Sequence, residues 1–159
     1  MSFEKLGLIK PLLAAINELG YENPTTIQTR AIPLVLAKSD IFATAQTGTG
    51  KTAAFGLPIL QKLRKTEGEE GRNARAVILS PTRELSIQIY EDLSHFSKHM
   101  KVECAVLVGG KDILTQQRAL KKGVDIIIAT PGRFLEHIDN GLIINNIEVL
   151  VLDEADRML

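Results

Sequence analysis

Apolar residues along the chain occur in two alternating patterns. Short runs rich in Ile and Val are nearly continuous, as in strands that are covered on both faces of a sheet. They predict strands at Ile41–Ala45, Ala76–Ser80, Glu103–Val108, Asp125–Ala129 and Glu148–Leu152. The segments between them repeat apolar residues at helical spacing and predict helices at Thr52–Lys65, Glu84–His99, Ile113–Lys122 and Phe134–Asn140. This alternation predicts an α/β fold, with a parallel sheet and helices on both of its faces.

The first forty residues differ, because their pattern predicts two helices and no strand. Pro11 suits the first turn of the first helix, and Gly20 suits its C-terminal end. Thr25 is placed to cap the second helix, which Pro33 is expected to kink or split. The charged, glycine-bearing stretch Lys65–Asn73 lacks periodicity and predicts an exposed loop inside the domain rather than a boundary.

Composition narrows the class of protein. With 45% apolar and 24% charged residues in 159, the chain is that of a folded globular domain and not a disordered tail. A single cysteine, Cys104, excludes an internal disulfide and indicates a reducing, cytoplasmic location, and we expect no membrane partner. The net charge is zero, with 19 basic and 19 acidic residues, which argues against nucleic-acid binding by bulk positive charge. Aromatic residues make up only 4%, so any nucleic-acid contact should fall on phosphate and sugar rather than on stacked bases.

The stretch from Ala45 to Thr52 reads A-Q-T-G-T-G-K-T and lies between a predicted strand and a predicted helix. That is the context of a phosphate-binding loop, although Ala45 stands where the general pattern has glycine. Gly48 and Gly50 would let backbone N–H groups approach phosphate, Lys51 would add a charge, and the Thr52 hydroxyl would ligate Mg²⁺. The plain alternative is a glycine-rich turn with an incidental lysine. The predicted nucleotide-binding residues here are Ala45, Gln46, Thr47, Gly48, Thr49, Gly50, Lys51 and Thr52.

A second acidic site follows the last predicted strand, where Asp153-Glu154-Ala155-Asp156 begins. Strands of a parallel sheet deliver such residues to its carboxyl edge, where ligands bind. Asp153 is a candidate for holding Mg²⁺ through water, and Glu154 for orienting and deprotonating the attacking water. The plain alternative is a solvated acidic cap that begins the next helix. Together with Lys51, these two carboxylates form the predicted catalytic set.

The D-E-A-D stretch and the A-Q-T-G-T-G-K-T loop together resemble the first RecA-like domain of DEAD-box RNA helicases, in particular of their bacterial, RhlE-like branch. The resemblance implies a RecA-like P-loop fold and ATP hydrolysis coupled to local unwinding of RNA duplexes. It also implies ATP and Mg²⁺ as ligands and a second RecA-like domain as a partner. It divides the chain into an adenine-recognition element, residues 1–39, and an incomplete ATP-binding domain, residues 40–159. The resemblance also implies that Asp156 couples the catalytic site to the family's Ser-Ala-Thr element, called motif III, or to the other domain.

The stretch from Gly20 to Gln28 resembles the family's adenine-recognition Q motif, with an isolated aromatic, Phe3, upstream. The resemblance assigns Gln28 to the N6 and N7 edge of adenine, which suits a side-chain amide that both donates and accepts. It places Phe3 or Tyr21 near the base and includes Thr25 in the site. The alternative is a helical hairpin with a capping Thr and a buried Tyr.

Further loops that follow predicted strands resemble motif Ia (P-T-R-E-L, from Pro81), the GG element (Gly109-Gly110) and motif Ib (T-P-G-R, from Thr130). The resemblance implies sequence-nonspecific contacts with the backbone of single-stranded or partly duplex RNA. Each loop alone is equally a turn with a capping Thr. The predicted RNA-binding residues are Pro81, Thr82, Arg83, Glu84, Gly109, Gly110, Thr130, Pro131, Gly132 and Arg133.

No Ser-Ala-Thr tripeptide, the family's motif III, occurs in the chain. We therefore expect a fragment of a longer protein, with a slot in the sheet beside the strand that ends at Asp153. Such a chain should be marginally stable or associate, and should bind nucleotide weakly, bind RNA feebly and hydrolyse little ATP. The rival functions are another P-loop motor, such as a DNA helicase, and a binding module without turnover. His95, His99, His137 and Cys104 show no metal-ligand clustering and are expected to be ordinary surface or core residues.

Overall fold

The structure is a computed structural model and describes residues 1–46, 48–64 and 69–159. The chain forms two compact units. Unit 1 contains Met1–Lys65 and Asp92–Lys101, and unit 2 contains Thr66–Glu91 and Val102–Leu159.

The described part of unit 1 is helical. It contains a 3-10 turn at Phe3–Leu6, helices α1 (Lys10–Glu18), α2 (Thr26–Leu36) and α3 (Lys51–Leu63), and the last turn of α4 (Arg83–Phe96). The apolar faces of these helices form its core, with Leu12, Ile16, Ile32, Leu57, Leu60 and Leu93 essentially inaccessible to solvent.

The predicted start and stop signals of the first two helices are confirmed. Pro11 lies in the first turn of α1. Gly20 follows α1 with φ of 82°, and the Tyr21 N–H then bonds back to the Ile16 carbonyl at 2.9 Å. Thr25 caps α2. The expected split at Pro33 does not occur, because α2 continues through it to Leu36.

Unit 2 is built on a parallel sheet of four strands, β1 (Ala76–Leu79), β2 (Cys104–Leu107), β3 (Ile126–Ala129) and β4 (Val149–Leu152). The order is β2-β3-β1-β4, with Ala76 opposite both Ile126 and Val149. Helices α5 (Ile113–Lys122) and α6 (Pro131–Asp139) connect the strands, and a 3-10 turn, Ala155–Met158, follows β4. The predicted parallel α/β architecture is therefore confirmed. Because the strands are parallel, the loops after them emerge at one edge of the sheet.

A buried ion pair fixes the opposite, amino edge of this sheet. The Asp125 carboxylate accepts hydrogen bonds from Arg72 Nε and Nη2, both at 2.7 Å. Oδ2 of the same carboxylate also accepts the Glu103 N–H at 2.8 Å, and the backbone carbonyl of Asp125 accepts the Arg75 N–H at 2.9 Å. One carboxylate therefore ties together the segments that enter β1, β2 and β3.

The predicted strand Ile41–Ala45 is wrong. Residues 41–46 form no strand, and the Phe42 side chain is 97% exposed. A strand exists only when its N–H and C=O groups pair with a neighbour, and no described segment pairs with this one. Its apolar composition therefore does not produce a strand by itself.

The predicted coverage of β4 on both faces is also wrong. β4 lies at an edge of the described sheet, and Leu150 and Leu152, which project to the same face, are each more than half exposed. The expected slot beside this strand is, in the described residues, an open sheet edge. The apolar run of β4 thus has one neighbour, β1, where β3 has two.

Candidate functional site

The described part of the loop before α3 in unit 1 contains two glycines with an unusual backbone. Gly48 and Gly50 both adopt left-handed conformations, with φ of 82° and 80°. Gly50 is the N-cap of α3, and Lys51 is the first residue of the helix. The N-terminus of a helix presents unpaired N–H groups and a partial positive charge, both of which attract phosphate. The predicted loop-to-helix arrangement is therefore present, without the strand predicted before it.

Gln28 joins this loop to α2. Its Oε1 accepts the Thr25 N–H at 3.0 Å, while Thr25 Oγ1 accepts the Gln28 N–H at 3.4 Å, which together form a capping box. Its Nε2 donates to the Gly50 carbonyl at 3.2 Å. A Cβ on Gly50 would overlap Nε2, so this close approach requires glycine. The side chain is 2% exposed. Its amide keeps one more acceptor site and one more N–H, which is what an adenine edge needs.

The two aromatic residues predicted near the base lie side by side. The Phe3 and Tyr21 rings are 6.3 Å apart, and Tyr21 also contacts Phe96 edge-on at 6.1 Å. Phe3 is buried in this cluster, whereas Tyr21 is 38% exposed, so Tyr21 presents the accessible ring. Burial, and then the negative charge of Asp92, raise the pKa of the Tyr21 hydroxyl. The alternative prediction of a buried Tyr therefore holds only in part.

A cleft of about 630 Å³ opens beside the same loop, within unit 1. Thr25, Ala45 and Thr49 line it, together with Arg30 and Leu34 on the face of α2. Thr49 Oγ1 donates to the Gln46 carbonyl at 2.6 Å, which fixes this side of the loop. Predicted nucleotide-binding residues thus border an open cleft that contains one arginine.

In unit 2, the predicted catalytic carboxylates follow β4 directly. The Asp153 side chain is buried, and its backbone N–H continues the ladder to the Leu79 carbonyl at 2.9 Å. Glu154 adopts a left-handed conformation with φ of 51°, which is costly for a residue with a Cβ. Its Oε2 forms an ion pair with Arg157 Nη1 at 2.7 Å. Asp156 is exposed.

The three predicted RNA loops converge in unit 2 on residues 109–111. Gly110 has φ of 78°, and a Cβ there would lie 2.5 Å from Arg83 Nη1, so motif Ia contacts the GG element. Arg133 of motif Ib donates from Nη1 to the Lys111 carbonyl at 2.9 Å. The Thr82 hydroxyl accepts the Leu85 N–H at 3.2 Å and caps α4. The Thr130 hydroxyl makes no capping bond with α6 and can therefore meet a ligand.

Arg133 is far less exposed than the sequence suggests, with a side chain that is 14% accessible. Its Nε pairs with Glu136 at 2.7 Å, and Nη1 also donates to Gln116 Oε1 at 3.1 Å. Sequence reasoning did not foresee Gln116 and treated His137 as an ordinary residue. The amphipathic pattern places both on the inner faces of their helices, but nothing in that pattern marks them as partners of Arg133.

The predicted residues divide between the units. The Q-motif residues and the described part of the phosphate loop, including Lys51 and Thr52, lie in unit 1. Asp153, Glu154, Asp156 and the RNA loops lie in unit 2. Thr47 lies outside the described residues. Across the parts of the chain that are described, no cluster of three or more His, Cys, Asp or Glu side chains could hold a metal ion. The hydroxyl at the start of α3 and the buried carboxylate after β4 are each a type of ligand that suits Mg²⁺.

Comparison with known proteins identifies the family. The model of the DEAD/DEAH box helicase family matches residues 25–159. This chain belongs to that family. Among relatives of this helicase-family chain, the DEAD-box ATP-dependent RNA helicase CshA of Bacillus subtilis is 44% identical, and the ATP-dependent RNA helicase DeaD of Escherichia coli K12 is 46% identical. The alignments cover 100% and 99% of this chain but 32% and 25% of the relatives, so the chain spans about a third of their length or less.

A solved helicase has the same fold. The RNA helicase Prp28 of Chaetomium thermophilum, in a structure bound to ADP, is 39% identical and superposes with a TM-score of 0.91. The match covers 99% of this chain and 39% of that chain. The predicted RecA-like fold is therefore confirmed. No helix among the described residues is long and apolar enough to cross a membrane.

Proposed function

We propose that this chain is the ATP- and RNA-binding first RecA-like domain of an ATP-dependent RNA helicase. The observation that carries the proposal is the left-handed glycine pair, Gly48 and Gly50, at the N-terminus of α3 in a member of this family. That arrangement supports phosphate binding by backbone N–H groups, with Lys51 supplying the charge. The names of the relatives support an ATP-dependent RNA helicase activity. That activity is proposed for a longer protein that contains this chain.

Adenine recognition is proposed for Gln28, Thr25 and Tyr21. The bond from Gln28 Nε2 to the Gly50 carbonyl gives base recognition a direct connection to the phosphate loop. A base that pairs with the remaining donor and acceptor of Gln28 would therefore act on the residue that begins α3. Phe3 supports the Tyr21 ring from within the core.

Hydrolysis is proposed to use Glu154 as the residue that orients and deprotonates water. Mg²⁺, held by Thr52 and through water by Asp153, would neutralise charge on the β- and γ-phosphates. In this structure Arg157 holds the Glu154 carboxylate. Glu154 must exchange that partner for a water molecule before it acts as a base.

RNA binding is proposed for the loop cluster around residues 109–111. The cluster offers glycine backbone, the Thr130 hydroxyl and two arginines, and these groups suit phosphate and ribose. It has no array of side chains that would read base edges, which supports binding independent of sequence. A second RecA-like domain would close over ATP and RNA, complete the ATPase site and bend the RNA. The cytoplasm is the proposed location.

The nucleotide half of the proposal is tested by titrating the 159-residue chain with a fluorescent ATP analogue and Mg²⁺. Lys51→Ala should weaken binding by at least about 10-fold, since it removes a charge from the phosphates. Lys62→Ala, at the other end of the same helix, is the matched control and should bind as the unmodified chain does. Equal affinity of the two variants would contradict the proposed site.

The helicase half needs a protein that contains this chain and a second RecA-like domain. RNA should stimulate its ATPase, and DNA should not. Glu154→Gln should abolish hydrolysis and spare ATP binding, whereas Glu148→Gln, just before β4, should leave both hydrolysis and ATP binding unchanged. Stimulation by DNA alone would favour the rival P-loop motor, and ATP binding without hydrolysis in the unmodified protein would favour the binding module.

A further inference from the structure

A buried glutamine on α5 connects the GG element to motif Ib. Gln116 is essentially inaccessible, and its Nε2 donates to the Val108 carbonyl at 3.1 Å, just before Gly109. Its Oε1 contacts Arg133 Nη1 at 3.1 Å and His137 Nε2 at 2.8 Å. The Gln116 side chain therefore bonds to one backbone carbonyl and to two side chains of α6.

The chemistry of the neighbours fixes how this network is wired. If the amide were turned over, its NH₂ would face the N–H of Arg133 and its oxygen would face the Val108 carbonyl, so both ends would repel. Oε1 is therefore the acceptor. Because it accepts from the histidine ring, His137 carries its proton on Nε2.

His137 is suited to remain a neutral donor. The residue is 1% exposed, and burial lowers the pKa of its imidazole; the positive charge of Arg133 acts in the same direction, and Glu136 opposes them. A neutral ring with Nε2–H donates to Gln116 without placing a second positive charge beside Arg133. Among Gln116, His137 and Arg133, only the guanidinium then carries a charge, and Glu136 pairs with it.

The remaining contacts of Arg133 show what the network leaves available. Nη1 donates to Gln116 and to the Lys111 carbonyl, and Nε pairs with Glu136. These contacts occupy Nε and Nη1, and Nη2 is the nitrogen that we expect to meet a ligand. Held in this way, Arg133 loses little side-chain freedom when it binds, which is the advantage of preorganisation.

We propose that Gln116 and His137 are positioning residues of the RNA site. Neither is expected to touch RNA. Gln116 fixes the backbone before the GG element and the orientation of Arg133 together, and His137 keeps the Gln116 oxygen in place. The inference rests on the proposed RNA-binding function of this loop cluster and adds residues to it that no motif of the sequence marked.

The test compares variants of the 159-residue chain for binding to a fluorescent 15-nucleotide oligouridylate at low ionic strength, where phosphate contacts are strongest. Gln116→Leu should weaken binding about 10-fold, about as much as Arg133→Ala. Gln117→Leu, the next residue on the same helix, is the matched control and should bind like the unmodified chain. Gln116→Glu keeps an acceptor for Arg133 and His137 but puts an oxygen against the Val108 carbonyl, so it should weaken binding less than Gln116→Leu without restoring it fully.

Two further measurements separate positioning from loss of folding. Affinity for the ATP analogue, for which we propose no role of the 109–111 loop cluster, should be unchanged in a folded Gln116→Leu chain. The ¹⁵N shifts of the His137 ring should report an Nε2–H tautomer in the unmodified and Gln117→Leu chains and change in Gln116→Leu. If Gln116→Leu does not fold, His137→Phe, which removes a single hydrogen bond and fills the space of the ring, should still weaken RNA binding.

The outcomes distinguish this inference from the function on which it rests. If Arg133→Ala weakens RNA binding but Gln116→Leu and His137→Phe do not, the positioning role is wrong and the RNA site stands. If the unmodified chain shows no RNA binding even when joined to a second RecA-like domain, the proposed function fails and the inference fails with it. An Nδ1–H tautomer for His137 would also overturn the proposed wiring.

Discussion

Two stretches of this chain share one local plan but have different structures. Each consists of an apolar run followed by a turn into a helix: residues 41–46 lead into α3, and β3 leads through Thr130 into α6. β3 has a neighbour on each side and is fully buried. Residues 41–46 pair with no described strand, and Phe42 projects into solvent. α3 nevertheless begins one residue before its predicted start at Thr52, and α6 begins at Pro131, three residues before its predicted start at Phe134.

The difference shows that the helix starts are encoded locally and that strand formation is not. Gly50 supplies a left-handed N-cap for α3, and Pro131 occupies the first turn of α6, so neither helix start depends on distant residues. A strand does depend on them, because its backbone groups are satisfied only by another strand. Apolar composition gives the tendency to form a strand, and the neighbour decides whether the strand forms.

The largest expected effect is at the residue that anchors β3. Asp125→Ala would leave Arg72 buried without its partner and remove the acceptor for the Glu103 N–H, which should cost about 3–5 kcal/mol of unfolding free energy. Urea unfolding followed by circular dichroism would measure it. A loss below about 1 kcal/mol would show that β3 is held by its neighbours alone.

A smaller effect is expected from a matched pair of truncations, one in each stretch. Ile127→Ala removes buried apolar volume from the centre of β3 and should cost about 3 kcal/mol. Phe42→Ala removes a larger side chain from an exposed position and should change the unfolding free energy by less than about 0.5 kcal/mol. Comparable losses would mean that Phe42 is buried in solution and that the contrast between the two stretches does not exist there.

The exposed face of β4 tests the intermediate case of a strand with one neighbour. Leu150→Thr introduces a β-branched residue, which suits a strand, and should alter stability by less than about 0.5 kcal/mol. It should reduce self-association of the chain, since it removes an apolar group from an uncovered sheet face. Sedimentation velocity over a range of concentrations would detect this. A chain that remains monomeric before the substitution would contradict the expected association.

The smallest expected effect is a pH dependence carried by the helix that follows β3. The pKa of His137 is lower in the folded chain than the ordinary value of about 6.5 that it has when unfolded. Between these two values the unfolded chain binds more protons, so stability falls as the pH drops below about 6.5 and is constant above it. In His137→Phe this component should vanish. If the unfolding free energies of the unmodified chain and of His137→Phe change in parallel between about pH 5 and pH 8, the prediction is contradicted.

Much of the fold followed from local patterns, and the errors share one physical cause. The buried strands and the caps at Gly20 and Thr25 are set by alternation and by individual residues. The strand at Ile41–Ala45 and the coverage of β4 were predicted wrongly because both depend on what packs against an apolar run. A single sequence does not show that. The smaller misses, Gln116 and His137, are contacts between separate helices that no spacing in the sequence reveals.

The candidate site divides in the same way. The glycine-rich loop and the carboxylates after β4 could be located from the sequence, because each is a contiguous motif. The capping box of Thr25 and Gln28 was also readable from its spacing, although the bond from Gln28 to Gly50 joins residues 22 positions apart. The partial burial of Arg133 could not be foreseen, since its partners come from α5 and from the loop of the GG element.

The left-handed backbone of Glu154 sets stability against activity at one residue. Glycine there would relieve a strain of about 1 kcal/mol and would stabilise the domain, but it would remove the carboxylate that we propose for hydrolysis. Selection for a more robust fold would therefore replace this residue, and selection for turnover would keep it. Engineering for thermal resistance guided only by backbone geometry would favour glycine at position 154 and produce a sturdier, inactive protein.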